Sequence, residues 1–250
     1  NFVPMFAYLT IDQGNSSTKA ALWENGEIKN RFCVRDGEIQ AIKDLTAGCK
    51  LPLKAALCSV ADSQARMLMT LERYGIDTVD INCRTTMPLK INYRTPETLG
   101  ADRIAAAMGA FDLYGGKPIL VADIGSAATY DMVTADGQYL GGNISPGLGM
   151  RLRALNSFTA RLPLVDAYDG PTALFGADTR EALRSGAVYG VTAELEFYAR
   201  HTGPDAKVVL TGGWADVIAA HTSIECIVNH DLVLIGLNSI LTYNEAKISC

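Results

Sequence analysis

The chain carries the same local plan twice. The stretches "LTIDQGNSSTKAALWENGEI" (Leu9–Ile28) and "LVADIGSAATYDMVTADGQY" (Leu120–Tyr139) each give an apolar strand, Asp-x-Gly and small hydroxyl residues. A second strand and a glycine-containing turn follow in both. Asp12 matches Asp123, Gly14 matches Gly125, and Asn25-Gly26 matches Asp136-Gly137. Asp-x-Gly alone is common, so one match of this kind would be chance. Successive agreement at a spacing of about half the chain instead points to duplication. It predicts an α/β fold of two related halves, 1–114 and 115–250.

Composition limits what such halves can do. A chain of 250 residues, 48% of them hydrophobic, is long enough for a sizeable core. The net charge of −5, with no basic block, argues against a nucleic-acid surface. No apolar run approaches the roughly 20 residues of a membrane helix. The opening "NFVPMFAYLTID" lacks a basic segment and a small-residue cleavage site, so no signal peptide is expected. The six scattered cysteines form no CxxC pair and read as reduced thiols of a cytoplasmic protein. The three histidines form no ligand pattern, which makes a zinc site unexpected.

Periodicity predicts the remaining elements. Residues 6–11, "STKAALW" and "GEIKNRFCV" read as strands, and Asn25-Gly26 is a strong hairpin signal between the last two. "KAALCSV" is a buried strand, "SQARMLMTLERYG" a helix closed by Gly75, and "DTVDIN" a strand. "TPETLGADRIAAAMGAFDLYGG" reads as one helix from Thr-Pro to Gly115-Gly116. After the second hairpin and the strand "QYLGGNIS" comes a helix from about Gly147 to Asn156. A long helix over "DTREALRSGAVYGVTAELEFYAR", the strand "AKVVLTGG" and a final helix over "DLVLIGLNSILTYNEA" complete the chain.

"IDQGNSSTK" looks at first like a phosphate loop, but it lacks the second glycine before the lysine that a Walker A loop requires. Asp-x-Gly at a strand end places a carboxylate where the chain turns. The glycine lets a ligand approach the backbone, and the following N–H and hydroxyl groups suit phosphate oxygens. The carboxylate then serves by binding a cation that offsets the phosphate charge. "VVLTGGWA" adds a strand ending in Gly212-Gly213 at a helix start, where a ligand can lie on the backbone. Alone, such a pair is usually a tight turn.

Two Asp-x-Gly hairpins plus the strand–Gly-Gly–helix resemble the actin-like, sugar-kinase-like and Hsp70-like ATPase superfamily. Within it, almost the whole chain is similar to type III pantothenate kinase. The matching motifs are "DQGNSSTK", "LGADR" (99–103), "DIGSAATYD" and "GGNISPG", then "TARLP", "DTREALRSG", "TGGWA" and "GLNSILTYN". The pair of "GADR" and the second Asp-x-Gly about 20 residues on is specific to that branch.

The resemblance implies two RNase H-like domains with mixed sheets flanked by helices, and ATP-dependent phosphorylation of pantothenate. Its implied ATP site takes Asp12, Gly14, Asn15, Ser16, Lys19, Ser126, Gly212 and Gly213. Its implied pantothenate site takes Tyr93, Gly100, Ala101, Asp102, Arg103 and Thr179, with Asp102 as general base. Asp123 is the implied ligand of a monovalent cation, K⁺ or NH₄⁺, and Asp12 of Mg²⁺, directly or through water. A homodimer is implied as well. The chemistry agrees: an alcohol gains from a carboxylate that accepts its proton, and a helix N-terminus favours negative charge. Arg103 suits a substrate carboxylate.

The pattern departs from the family in places. Ser16 and Ser126 stand where threonine is usual, and Ala128 replaces a common threonine. Trp214 either covers the adenine or packs. Plainer readings exist for several positions: Asp102 and Thr179 as helix caps, Arg103 as a structural ion pair, Tyr93 as a half-buried strand tyrosine. Gly186 and Gly190 suit close helix packing, and Met67 and Met69 core filling. The rival functions are another small-molecule kinase or phosphatase of the superfamily, or a non-enzymatic accessory role.

Overall fold

The computed structural model describes residues 6–35, 38–61, 63–167 and 172–248. By contacts the chain divides into two compact units, Asn1–Leu113 with Asp231–Cys250, and Tyr114–His230.

In the first unit, β1 (Ala7–Gln13), β2 (Thr18–Glu24) and β3 (Glu27–Val34) form an antiparallel meander. Asn25 and Gly26 turn β2 into β3 with φ of 55° and 79°, as a type I′ turn requires. β4 (Leu53–Ser59) pairs parallel to β1, and β5 (Asp77–Asp80) parallel to β4. The sheet order is β3-β2-β1-β4-β5. Alternation sets the two faces. Leu9, Ile11, Ala20, Leu22, Ala55 and Leu57 join one core cluster with α1 (Glu38–Thr46) and α2 (Gln64–Arg73). α1 has no counterpart in the sequence reading: it buries only Ile42 and Leu45, too few to mark a periodic stripe. Met67 fills this core, whereas Met69 is 57% exposed and does not.

The predicted helix from Thr95 is broken. Pro96–Thr98 makes a 3-10 turn, Leu99 is extended, and α3 runs from Ala101 to Tyr114. The two-residue strand β6 (Lys90–Ile91) precedes this segment, and Tyr93 follows it in a loop rather than on a strand.

The second unit repeats the plan. β7 (Ile119–Ile124), β8 (Ala127–Val133) and β9 (Gln138–Pro146) form an antiparallel meander. β10 (Lys207–Thr211) pairs parallel to β7, and β11 (Ile227–Val228) parallel to β10. Within this unit the order is β9-β8-β7-β10-β11, the same as in the first. α4 (Leu148–Phe158), α5 (Thr179–Thr202) and α6 (Ala215–Ala219) cover a core that includes Tyr130, Leu148, Val188 and Leu195.

The last helix, α7 (Leu232–Ile248), packs on β1, β2 and β4. The second half was expected to run to residue 250, but residues 231–250 pack with the first unit. The cause is steric and apolar. A Cβ on Gly236 would lie 1.8 Å from the Ala105 carbonyl oxygen, and one on Gly109 would lie 2.2 Å from that of Leu232. Two facing glycines thus let α3 and α7 approach backbone to backbone. Lys54 Nζ to Glu245 Oε1 at 2.6 Å and the Arg31–Asp231 pair add polar ties. By contrast, a Cβ on Gly186 meets nothing within 4 Å, so close packing is not its role, while Gly190 does face Arg151.

Gly236→Ala is therefore expected to destabilise the protein by about 3 kcal/mol through overpacking. Gly186→Ala should be neutral or stabilise by up to about 1 kcal/mol through helix propensity. Urea denaturation of the two variants checks the contrast, and equal midpoints would refute it.

Candidate active site

Asp12 is the penultimate residue of β1, with Gly14 beyond it at the turn. The Gly14 N–H bonds the Ser17 carbonyl at 3.0 Å and closes a four-residue loop with Asn15 and Ser16 exposed at its tip. Asp12 stands directly opposite Lys19 in the antiparallel register. Opposed residues share a face, so the Lys19 ammonium and the Asp12 carboxylate lie on the same side of the sheet.

Lys19, an implied ATP-site residue, falls on β2. The register resolves its direction: a strand position, but one that projects beside Asp12. In the parallel pair β1/β4, Asp12 is matched with Cys58, whose Sγ donates to Asp12 Oδ1 at 3.4 Å. Burial pushes the Asp12 carboxyl up from 3.8 to about 6, and the charge of Asp102 pushes it further in the same direction. Lys19 and the Cys58 hydrogen bond oppose that shift. Burial, with the charges of Asp12 and Asp102, holds the Cys58 thiol well above its ordinary value.

Asp102 thus belongs to the same electrostatic neighbourhood as Asp12, although 90 residues separate them (102 − 12). Its place is set by the break before α3. Gly100 allows it: a Cβ there would lie 2.4 Å from Asp102 Oδ1. Asp102 is in the first turn of α3, and its Oδ1 accepts the Arg103 N–H at 2.8 Å. Ala101 opens the helix, and Asp102 stays partly exposed. Arg103 is buried, with its guanidinium 5.9 Å from the centre of the half-buried Tyr93 ring, close enough for a cation–π contact. The first unit therefore gathers Tyr93, Gly100, Ala101, Asp102 and Arg103, and brings Asp12 and Lys19 into one row.

The second hairpin is tighter. Its loop is only Gly125-Ser126, closed by the Gly125 N–H to the Ala127 carbonyl at 2.9 Å. Ser126 is exposed, whereas Ala128 is buried in the core and replaces no exposed donor. Gly147, from "GGNISPG", supports this loop. Its N–H bonds the Ser126 carbonyl at 3.2 Å, and a Cβ there would lie 2.4 Å from the Gly125 carbonyl oxygen.

Gly212 has φ 91°, and a Cβ on it would be 2.4 Å from Asp123 Oδ1 and 2.6 Å from the Ile124 carbonyl oxygen. Glycine here lets the backbone close on the Asp123 carboxylate. Gly213 is exposed, and Trp214 packs against the core of this unit, the plainer of its two readings. Thr179 is exposed at the first position of α5, but the cap is Asp178. Asp178 Oδ1 accepts the Glu181 N–H at 2.9 Å, and Glu181 Oε2 accepts that of Ala177 at 2.8 Å.

Among the described residues no cluster of three or more His, Cys, Asp or Glu side chains gathers to hold a metal. Mg²⁺ needs no such cage when one or two carboxylates act with phosphate oxygens and water. The Asp12 carboxylate, an oxygen donor at a strand end, fits that arrangement.

The paired five-stranded plan recurs in solved structures of low sequence identity. A solved structure from Campylobacter jejuni, bearing the Baf family transcriptional-activator name, matches with TM-score 0.63 at 21% identity, covering 95% of this chain and 99% of its own. The type III pantothenate kinase family model matches residues 8–201. The type III pantothenate kinase of Phocaeicola vulgatus is 39% identical over 243 residues, 95% of this chain and 98% of that protein. That of Bacteroides fragilis is 40% identical over 247 residues, 96% and 99% respectively. The chain belongs to the type III pantothenate kinase family.

The group that sequence reasoning missed is Cys58. It sits inside an apolar strand with no local motif, and only the parallel register reveals its partner.

The raised Asp12 value gives a stability test. Because the folded value of about 6 exceeds 3.8, the neutral form is favoured in the fold. That contribution is fully present below 3.8 and lost as pH rises through about 6. Asp12→Asn, always neutral, should gain stability over wild type as pH rises from about 4 to about 8, by on the order of 1–2 kcal/mol after allowance for partial exposure. Thermal denaturation of the ligand-free protein measures it, and a pH-independent difference would refute it.

Proposed function

We propose that the chain transfers the γ-phosphoryl group of ATP to the primary hydroxyl of pantothenate, giving ADP and 4′-phosphopantothenate, the first step of coenzyme A synthesis. The observation that carries this reading is family membership over nearly the full length, with Asp102 of "LGADR" held in the field of Asp12.

In this reading the pantothenate hydroxyl donates its proton to Asp102 as its oxygen attacks the γ-phosphorus. The bond to the bridging oxygen breaks, and ADP leaves. Arg103, steadied on Tyr93, takes the substrate carboxylate, and Gly100 and Ala101 line the same substrate; Thr179 is the pantothenate position that the family resemblance gives on the second unit. Asn15, Ser16 and the Gly14 backbone take phosphate oxygens, with Lys19 and Asp12 behind them. On the second unit, Ser126 offers a hydroxyl and Gly212 and Gly213 offer backbone groups to nucleotide. Mg²⁺, when bound with ATP near Asp12, supplies charge neutralisation. Asp123, closed in by Gly212, holds K⁺ or NH₄⁺. Support for the cation is the Asp123 carboxylate and Ile124 carbonyl both crowding Gly212.

The same reading makes the protein a cytoplasmic homodimer. Five described cysteines are free thiols, and no described helix is long and apolar enough to cross a membrane. Ile144, Met150, Leu155 and Phe158, the last 88% exposed, offer apolar surface on β9 and α4 that a second copy would cover.

A coupled assay of ADP release decides the central claim. Turnover should require pantothenate and rise with K⁺, and absence of pantothenate-dependent turnover with and without K⁺ would sink the reading. Asp102→Asn should lower kcat by about 10²–10⁴-fold, while near-wild-type kcat would remove Asp102 as the base. Sedimentation should give twice the chain mass, and a monomer at micromolar concentration would contradict the dimer.

A further inference from the structure

Cys58 has no part in the roles assigned above, yet its Sγ donates a hydrogen bond to Asp12 Oδ1. It is fully buried, but it does not belong to the core cluster that its neighbour Leu57 joins. Alternation along β4 turns Leu57 to the helices and Cys58 to the opposite face, where Asp12 and Lys19 lie. Ser59, next in the strand, does the same for the adjacent residue. Its Oγ donates to Gln13 Oε1 at 2.9 Å, and Gln13 Nε2 donates to Ser63 Oγ at 3.0 Å. The Val60 N–H bonds the Gln13 carbonyl at 3.1 Å. The end of β4 thus grips both members of the Asp12-Gln13 pair.

The second unit offers an internal comparison. There the residue matched with Asp123 across the parallel pair is Thr211, also buried and also a donor type. Both halves therefore place a small S–H or O–H side chain opposite the aspartate at the strand end.

We propose that Cys58 is a positioning residue: its S–H holds Asp12 Oδ1 and thereby turns Oδ2 toward magnesium-bound nucleotide. The proposal rests on the nucleotide role given to Asp12 in the kinase reading. A carboxylate beside a strand end has a broad terminal torsion, and one anchored oxygen fixes it. The donor also stabilises the charge of a carboxylate that burial disfavours. A thiol does this as a weak S–H donor.

The test compares Cys58→Ala, Cys58→Val and Cys58→Ser. Valine fills the site without a donor, so it decides the matter if the alanine variant folds poorly. Calorimetry reads ATP binding with and without Mg²⁺, and kinetics read both substrates. The alanine and valine variants should weaken magnesium–ATP binding about tenfold, as expected for loss of one hydrogen bond to a charged group. Metal-free ATP binding and KM for pantothenate should stay within about twofold, separating positioning from general damage. Cys58→Ser should restore most of the loss.

Unchanged magnesium–ATP binding in both donor-free variants would overturn the proposal. So would equal weakening of every ligand. If the wild type binds magnesium–ATP but never turns over pantothenate, the kinase reading fails, and the calorimetry still decides the role of Cys58.

Discussion

A carboxylate taken partly out of water at the end of a central strand is the constraint on which the first unit turns. Asp12 lies on β1, flanked by β2 and β4, so sheet neighbours determine its surroundings. Lys19 stands opposite on one side and Cys58 on the other, while Asp102 adds negative charge through space. Burial and Asp102 disfavour ionisation, and Lys19 and Cys58 favour it. The balance leaves a group that ionises near pH 6. Such a carboxylate is primed for a cation, since a bound cation relieves both the desolvation and the repulsion from Asp102.

Duplication explains why the second unit has the same strand order, but the two hairpins have diverged in the turn. The first spans four loop residues, Gly14–Ser17, and lifts two polar side chains into solvent. The second spans two, Gly125 and Ser126, and is pressed on by Gly147. The backbone around Asp123 is correspondingly closer, with Gly212 against its carboxylate. The same sequence pattern thus closes into two different loop geometries.

Most of the architecture was legible because the periodicities are strong. The Asn25-Gly26 and Asp136-Gly137 turns, the apolar strands and the long helices are where the patterns place them. What was not legible depends on partners distant in sequence. Nothing near Thr95 signals that Leu99 will be extended; the break is needed so that Gly100 and Asp102 fit together. Thr179 looks like a cap until Asp178 and Glu181 are seen to form the capping pair. Cys58 reads as core because it follows the apolar run Ala55-Ala56-Leu57, and only register sets it against Asp12.

The return of α7 to the first unit follows from the same logic of register and close approach. Its sequence is apolar on nearly every side, so hydrophobicity alone gives no preferred surface. Shape gives one. Gly109 on α3 and Gly236 on α7 leave room for backbone to meet backbone, and no side chain could occupy either point. Asp102 lies in the first turn of α3. The packing that seats α7 therefore holds the helix that presents this aspartate.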